Sequence, residues 1–367
     1  MKKSGWRYSR YALGLLAVVF ALAAIHWLGS SGLLQPAAVE AKITLDTAPF
    51  DPVPAVLDRA HPGVQAAMAA QNRHNPHLLA LPDVVGTATG VDEAGKPAIK
   101  VFTKRTVPPG LIPGSLDGIP VAVEVTGEIF ALAKPSGTVK INPTQRFDRA
   151  VPIGVSTGNE GECSAGTIGA RVKKGSDVYA LSNNHVYALE NDAPIGSQVL
   201  QPGRYDTSCS FSENNVIGTL DAFVEIDFSG TPSNVVDAAI ALSSTANLGN
   251  ATPANGYGTP KSSPAAAVIY QAVQKYGRTT SLTKGTVTAI NGTIKVSYTA
   301  GIATFVNQIV VQSNKPFIKA GDSGSLLVTD QRNPVGLLFA GDSSGKYAIA
   351  NPIGPVLDKF QVVIDGE

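Results

Sequence analysis

The chain has 367 residues, a formal net charge of +1 and only 16% charged residues. A near-neutral chain without a basic patch gives no electrostatic reason to expect a nucleic-acid or polyanionic partner. The 37 glycines and 25 prolines favour turn-rich β structure over long surface helices, and the length allows two or three domains.

Residues 1–30 form a predicted targeting segment. Four basic residues within the first ten precede an uncharged apolar run over residues 11–28, the pattern of a signal peptide or a signal anchor. The run approaches the roughly 20 residues that span a bilayer and exceeds the usual apolar core of a signal peptide, about 7–15 residues. This favours an uncleaved membrane anchor over a signal peptide cleaved near residues 39–41. Either one exports the rest of the chain, to the cell envelope or the medium.

Cys163 and Cys209 are the two cysteines of the sequence. In an exported chain, an even number of cysteines favours a disulfide between them over two free thiols or a metal site. Two cysteines without clustered histidines are also a poor zinc signature. No metal and no cofactor are therefore predicted.

The region between the targeting segment and residue 135 carries no recognisable chemical motif. Residues 31–51 are rich in Ala, Pro and Gly and are predicted to form a linker. Residues 52–135 are predicted to form a small α+β accessory domain, with a helix over 56–71 and strands over 84–91, 98–103 and 119–126. Three of the five histidines lie here, for which a surface or helix-end role is expected: His61, His74 and His77.

From about residue 150 the sequence changes to short β runs with frequent turns, which is typical of a barrel or sandwich. The first domain, residues 150–246, has candidate strands over 164–172, 178–182, 198–201, 216–226 and 235–242. A Pro/Ser/Ala-rich stretch over 247–267 separates it from the second domain, residues 268–367. Candidate strands there are 285–290, 293–298, 305–312, 324–329, 335–339 and 346–350. A closing helix is predicted over 352–362, with proline in its first turn and apolar residues along one face.

Three residues of this β-rich region form a candidate catalytic set. His185 opens a loop after an apolar strand, a usual place for a functional side chain, and Asp237 begins an apolar strand where a carboxylate needs a partner. Ser323 lies in the Gly-Asp-Ser-Gly turn that starts at Gly321. Amides at Gly321 and Ser323 could stabilise an oxyanion, and the serine needs a base to become a nucleophile. Taken singly, His185 is better explained as a structural histidine and the turn as an ordinary β-turn, and Asp237 is equally well explained as a strand-start capping residue.

Their order along the chain, His–Asp–Ser, is that of the chymotrypsin type and differs from that of subtilisin and the α/β-hydrolases. Residues 150–367 resemble the chymotrypsin/trypsin-fold serine peptidases, and within them a bacterial and plant branch. The motifs that carry the resemblance are GRTT at 277–280, GTV at 285–287, GDSGSL at 321–326 and PVGLLFAG at 334–341.

The resemblance implies a mainly β fold with two six-stranded antiparallel β-barrels, a C-terminal helix and the site in the cleft between the barrels. It implies that Ser323 is the nucleophile, that His185 is the general base and then acid, and that Asp237 orients the imidazole. The amides of Gly321 and Ser323 would form the oxyanion hole. Ala340 and Gly341 would pair with a substrate strand.

One departure from the family pattern and one further likeness to it produce expectations. Phe339 stands where a serine commonly supports the triad acid, so Asp237 must be supported from elsewhere. Residues 151–154 resemble an activation terminus that would be buried against Asp322, although a directly active enzyme is favoured.

Specificity follows from the same resemblance. Phe317 would lie at the base of the first specificity pocket, with Phe339, Ala340 and Gly341 as uncharged walls. A pocket without a carboxylate predicts apolar or small residues before the cleaved bond. The predicted function is an exported serine endopeptidase acting on peptide or protein substrates. The alternatives are an inactive binding or scaffold protein of the same fold and a serine esterase with the same triad.

Overall fold

A computed structural model describes residues 56–131, 142–231 and 233–367. The predicted N-terminal anchor and the linker over 31–51 lie outside the described residues. Within those three ranges, no helix is both long and apolar enough to cross a membrane.

The described residues form three α-helices: α1 (Pro62–Ala80), α2 (Asn184–Tyr187) and α3 (Ile353–Phe360). The strands before the disulfide loop are β1 (Val84–Val91), β2 (Pro97–Thr103), β3 (Ser115–Leu116), β4 (Ile119–Val125), β5 (Ile129–Ala131) and β6 (Ser156–Asn159). They are followed by β7 (Gly166–Thr167), β8 (Ala170–Lys174), β9 (Asp177–Ser182), β10 (Gln198–Leu200), β11 (Val216–Phe223) and β12 (Ala239–Ser243). The remaining strands are β13 (Ala272–Gly277), β14 (Ser281–Ser297), β15 (Ile302–Gln312), β16 (Leu326–Thr329), β17 (Pro334–Asp342), β18 (Tyr347–Pro352) and β19 (Val363–Ile364).

The strands from β13 to β18 form a closed ring, called the second barrel below. Their order is β13-β16-β17-β18-β15-β14, and the ring closes because β14 also pairs with β13. Strand β14 is 17 residues long. Its first part pairs with β13, and its later part pairs with β1, where Gly86 faces Ile294. Strands β2, β4 and β3 continue from β1, and β5 pairs separately with β14 and β17. The strands of the N-terminal region are therefore built onto the second barrel.

The other sheet, called the first sheet below because most of its strands precede β13 in the chain, has eight strands. Their order is β19-β8-β9-β12-β11-β10-β6-β7. It consists of the strands of residues 156–243 together with β19, which returns from the C-terminus to pair with β8. The predicted fold, mainly β with two barrel-like sheets and a C-terminal helix, is confirmed.

Helix α3 closes the space between the two sheets. Its buried face is the one predicted from sequence: Ile353, Val356, Leu357 and Phe360. This face belongs to an apolar cluster that includes Leu181 of the first sheet and Leu337 of the second barrel. Burying a side chain of this size stabilises the fold by about 1.5–3 kcal/mol, so α3 is an energetic link between the two halves.

The predicted bounds of the first helix are wrong. The helix begins at Pro62 rather than at residue 56, and it ends at Ala80. Proline is favoured in the first turn because its missing N–H needs no partner there, and His61 caps the end by accepting from the amide of Gly63 at 3.1 Å. Leu57 instead forms a β-bridge with Ile269, so the residues just before the helix are extended.

The predicted disulfide between Cys163 and Cys209 is present, and it spans 46 residues of sequence. The loop that it closes contains α2 and therefore His185.

We expect that replacing both cysteines by serine lowers the free energy of unfolding by about 4 kcal/mol, because the cross-link restricts the unfolded chain. Urea unfolding of the oxidised protein and of the double variant measures this difference. A reducing agent should destabilise the natural protein and leave the variant unchanged. Equal unfolding midpoints for the two oxidised proteins would contradict the prediction.

Candidate active site

His185 and Asp237 meet in the interior of the protein. Nδ1 of His185 lies 2.6 Å from Oδ2 of Asp237, and the backbone amide of His185 donates to Oδ1 of the same carboxylate at 3.2 Å. Both side chains are fully buried. One carboxylate therefore fixes both the ring and the backbone of the histidine.

Strand pairing explains why residues 52 positions apart come together. Strand β9 ends at Ser182 and pairs with β12, with Ser182 opposite Ala239. His185 follows the end of one strand, and Asp237 precedes the start of its neighbour. Asn183 joins the two segments, since its side-chain amide donates to the carbonyl of Asp237 at 2.7 Å.

The support of Asp237 comes from the second barrel. The hydroxyl of Tyr298 donates to Oδ2 of Asp237 at 2.9 Å, and the amide of Asp237 donates to the side chain of Asn351 at 3.0 Å. Burial raises the pKa of Tyr298 well above its ordinary value, and the charge of Asp237 raises it further. The phenol therefore keeps its proton and remains a donor. The sequence predicts that a residue other than Phe339 supports Asp237, and this geometry agrees with that prediction. No local pattern in the sequence identifies Tyr298 as that residue.

Ser323 lies in a turn with two left-handed glycines, Gly321 at φ +93 and Gly324 at φ +91. A Cβ atom at position 324 would lie 2.3 Å from both the hydroxyl of Ser182 and the carbonyl of Thr167, so only glycine fits. The hydroxyl of Ser323 donates to the carbonyl of Phe339 at 3.4 Å. Close packing against the end of β9 brings this turn to the loop that carries His185.

Gly166 lies between the segment that carries His185 and the turn that carries Ser323. A Cβ atom placed on Gly166 would lie 2.5 Å from Cγ2 of Val186 and 3.1 Å from the carbonyl oxygen of Ser323. Since Val186 follows His185 directly, a single backbone position separates the two segments. Nε2 of His185 is buried and has no hydrogen-bond partner among the described residues.

Asp322 is a second buried carboxylate, in the Gly-Asp-Ser-Gly turn itself. Its Oδ1 accepts from the amides of Thr279 at 2.8 Å and Thr280 at 3.1 Å, and its Oδ2 lies 3.4 Å from Nζ of Lys275. Burial lowers the pKa of the Lys275 ammonium, and the charge of Asp322 opposes that shift. The cation beside Asp322 is that of Lys275, and the amide of Val151 donates instead to the carbonyl of Asn247 at 2.9 Å.

These contacts also explain the GRTT motif, which the sequence offered only as a family signature. Its two threonines donate hydrogen bonds to Asp322. Its arginine, Arg278, is buried and paired with Asp206, which lies between β10 and β11. The amide of Arg278 donates to the hydroxyl of Thr167 at 3.0 Å. The motif therefore connects the Gly-Asp-Ser-Gly turn to the first sheet.

The four predicted substrate-binding residues do not lie in one environment. Phe317 is fully buried in the apolar cluster that contains Val287 and Leu338, whereas Phe339 and Ala340 belong to another cluster. Ala340 and Gly341 pair with residues of β5. The assignment of Phe317 to a specificity pocket remains a prediction.

A family model described as the Nal1 C-terminal domain matches residues 234–355, a stretch that contains Asp237 and Ser323 but not His185. No curated protein matches the chain. Among solved structures, the chain is similar to a glutamic acid specific serine protease, with 24% identity over 58% of this chain and 100% of that chain and a TM-score of 0.42. It is also similar to protease A of Thermobifida fusca, with 20% identity over 59% of this chain and 100% of that chain and a TM-score of 0.43. It is similar as well to a chymotrypsin of Cellulomonas bogoriensis, with 22% identity over 60% of this chain and 100% of that chain and a TM-score of 0.41.

We expect Lys275→Met to lower the free energy of unfolding by about 3–5 kcal/mol, because it removes the cation that compensates a buried carboxylate. The matched control is Lys284→Met, at an exposed position of β14, which should change stability by no more than about 0.5 kcal/mol. Chemical denaturation of the three proteins measures both effects. Similar midpoints for the two variants would show that the Lys275–Asp322 pair is not needed.

Proposed function

We propose that the chain is a serine-type endopeptidase in which Ser323, His185 and Asp237 form the catalytic triad. The observation that carries the proposal is the buried contact of 2.6 Å between His185 and Asp237, close to the Gly-Asp-Ser-Gly turn. A buried carboxylate on one ring nitrogen holds the imidazole in the tautomer that can accept a proton at the other nitrogen.

In the proposed reaction, Oγ of Ser323 attacks the carbonyl carbon of the substrate peptide bond and passes its proton to Nε2 of His185. The amides of Gly321 and Ser323 stabilise the oxyanion that forms. The tetrahedral species then releases the amine, which takes the proton from His185, and leaves an acyl group on Ser323. Water then attacks the acyl carbon and passes a proton to Nε2 of His185. The second tetrahedral species breaks its bond to Oγ of Ser323, which takes the proton back from His185, and the carboxylic acid is released.

A peptide substrate is favoured over a simple ester by the strand edge beside the nucleophile. Ala340 and Gly341 belong to β17 and pair with an extended segment of this chain, so their backbone groups suit an extended peptide. A serine esterase would use the same triad without needing this edge. An inactive binding protein would keep the edge and need no reactive serine.

An extracytoplasmic location is part of the proposal. The bond between Cys163 and Cys209 supports it, because stable disulfides form mainly in oxidising compartments.

The first test of the triad is covalent labelling with a small alkyl fluorophosphonate, carried to its end point. We expect labelling of the natural protein and none of Ser323→Ala, because the probe reacts only with an activated serine. Ser325→Ala is a matched control, since Ser325 lies in the same turn, is equally buried and donates to the carbonyl of Asp322 at 2.5 Å. It should label fully.

Labelling of Ser323→Ala would remove the nucleophile assignment. If the natural protein and the Ser325 variant both fail to label, the chain is a binding protein rather than a hydrolase. Turnover of a peptide substrate, with an ester substrate run in parallel, separates the endopeptidase from the esterase.

We expect Tyr298→Phe to lower kcat by about 10- to 100-fold with little change in KM. A hydrogen bond to a charged group contributes about 1.5–3 kcal/mol, and 1.36 kcal/mol corresponds to tenfold in rate. Tyr276→Phe is the control, because Tyr276 is buried and donates to Asn255 at 2.9 Å. Its kcat should be unchanged. A loss of kcat equal in the two variants would mean that Tyr298 acts on stability alone.

A further inference from the structure

One edge of β17 carries three different neighbours in succession. Its first part pairs with β16, with Leu337 opposite Leu326. Next comes the nucleophile turn, where the amide of Gly324 donates to the carbonyl of Leu338 at 2.8 Å. The last part pairs with β5, and Gly341 faces Phe130. The opposite edge of the same strand is covered by β18.

Strand β5 runs antiparallel to β17, so its direction is fixed relative to Ser323. Ile129 pairs with Asp342, and Ala131 pairs with Ala340. Ala340 is the neighbour of Phe339, whose carbonyl accepts from the hydroxyl of Ser323. The chain therefore approaches the nucleophile as it passes along β5, as a peptide bound for cleavage would.

We propose that β5 is an inhibitory strand that occupies, within the same chain, the position of a substrate peptide. This inference rests on the proposed function, because it concerns the same edge and the same serine. A strand edge has one set of backbone donors and acceptors, so β5 and a substrate exclude each other there. An occupant on the same chain competes at a higher effective concentration than a free peptide does.

Three contacts hold β5 on this edge. The side chain of Ile129 is 2% exposed and belongs to the same apolar cluster as Phe339. Phe130 also pairs in parallel with Ser297 of β14. Glu128, just before the strand, accepts from the hydroxyl of Ser297 at 2.8 Å. Ile129 is therefore the apolar anchor and Glu128 the polar one.

Phe130 contributes through its backbone more than through its side chain. It lies between β14 and β17, and its side chain is 36% exposed. Proline at this position removes a donor and disrupts the pairing, whereas alanine keeps the backbone intact. The pair Phe130→Pro and Phe130→Ala therefore separates strand pairing from side-chain contact.

The experiment compares two probes that react with the same serine. The small alkyl fluorophosphonate does not use the strand edge. A peptidyl phosphonate with the sequence Ile-Phe-Ala-Leu, that of residues 129–132, has to pair with it. We expect Ile129→Asp and Phe130→Pro to raise the rate of the peptidyl probe at least tenfold and that of the small probe less than threefold. Phe130→Ala should stay within about twofold of the natural protein for both probes.

Equal rates of the peptidyl probe in the natural protein and in both releasing variants would overturn the inhibitory strand while leaving the peptidase intact. Absence of labelling by either probe in every protein would instead overturn the proposed function. The two failures are therefore distinguishable.

A second measurement uses the natural protein alone, so that its result does not depend on whether the variants fold. Hydrogen exchange of the β5 amides should become faster after the peptidyl phosphonate has reacted with Ser323, because the strand has been displaced. The small probe should leave those amides protected. Unchanged protection after reaction with the peptidyl probe would also overturn the proposal.

Discussion

The candidate site depends on the hydrogen bonds of one buried residue, Thr167. Its amide donates to the carbonyl of Ser323 and its hydroxyl donates to the carbonyl of Gly321, both at 2.8 Å. Its carbonyl accepts from the hydroxyl of Ser182 at the end of β9, and its hydroxyl also accepts from the amide of Arg278. Buried backbone groups must be paired, and here their pairing joins the Gly-Asp-Ser-Gly turn to the strand that leads to His185. The geometry between the two sheets is set at this point.

Two carboxylates are buried near this junction, and each is compensated in a different way. Asp237 is matched by the ring and amide of His185 and by the hydroxyl of Tyr298. Asp322 is matched by backbone amides and by the ammonium of Lys275. Breaking one partner of such a group costs about 3–5 kcal/mol, although the intact arrangement adds little net stability. These contacts therefore fix the positions of the buried side chains more than they stabilise the fold, and fixed positions are what a preorganised site requires.

The N-terminal strands and the second barrel form one continuous sheet. Strand β1 extends the barrel at β14, and β5 pairs with the last part of β17, from Ala340 to Asp342. Residues 52–367 also form one compact unit. Strands β1 and β5 of the N-terminal region therefore share hydrogen bonds with the strands that surround the candidate site.

The sequence by itself determined the elements whose signal is local. Alternating and apolar runs located most strands, and the four apolar positions of α3 predicted the face that it buries. The Gly-Asp-Ser-Gly turn and the strand ends at His185 and Asp237 were visible because each depends on a few neighbouring residues. The bounds of α1 were missed because apolar spacing extended the helix back to residue 56, whereas Pro62 and the cap at His61 start it later. Only the tertiary structure decided that Tyr298 supports Asp237, that Lys275 faces Asp322, and that β5 lies on β17. Each of these contacts joins residues at least 47 positions apart, and a pairing at that distance depends on how whole strands are arranged rather than on any pattern within one of them.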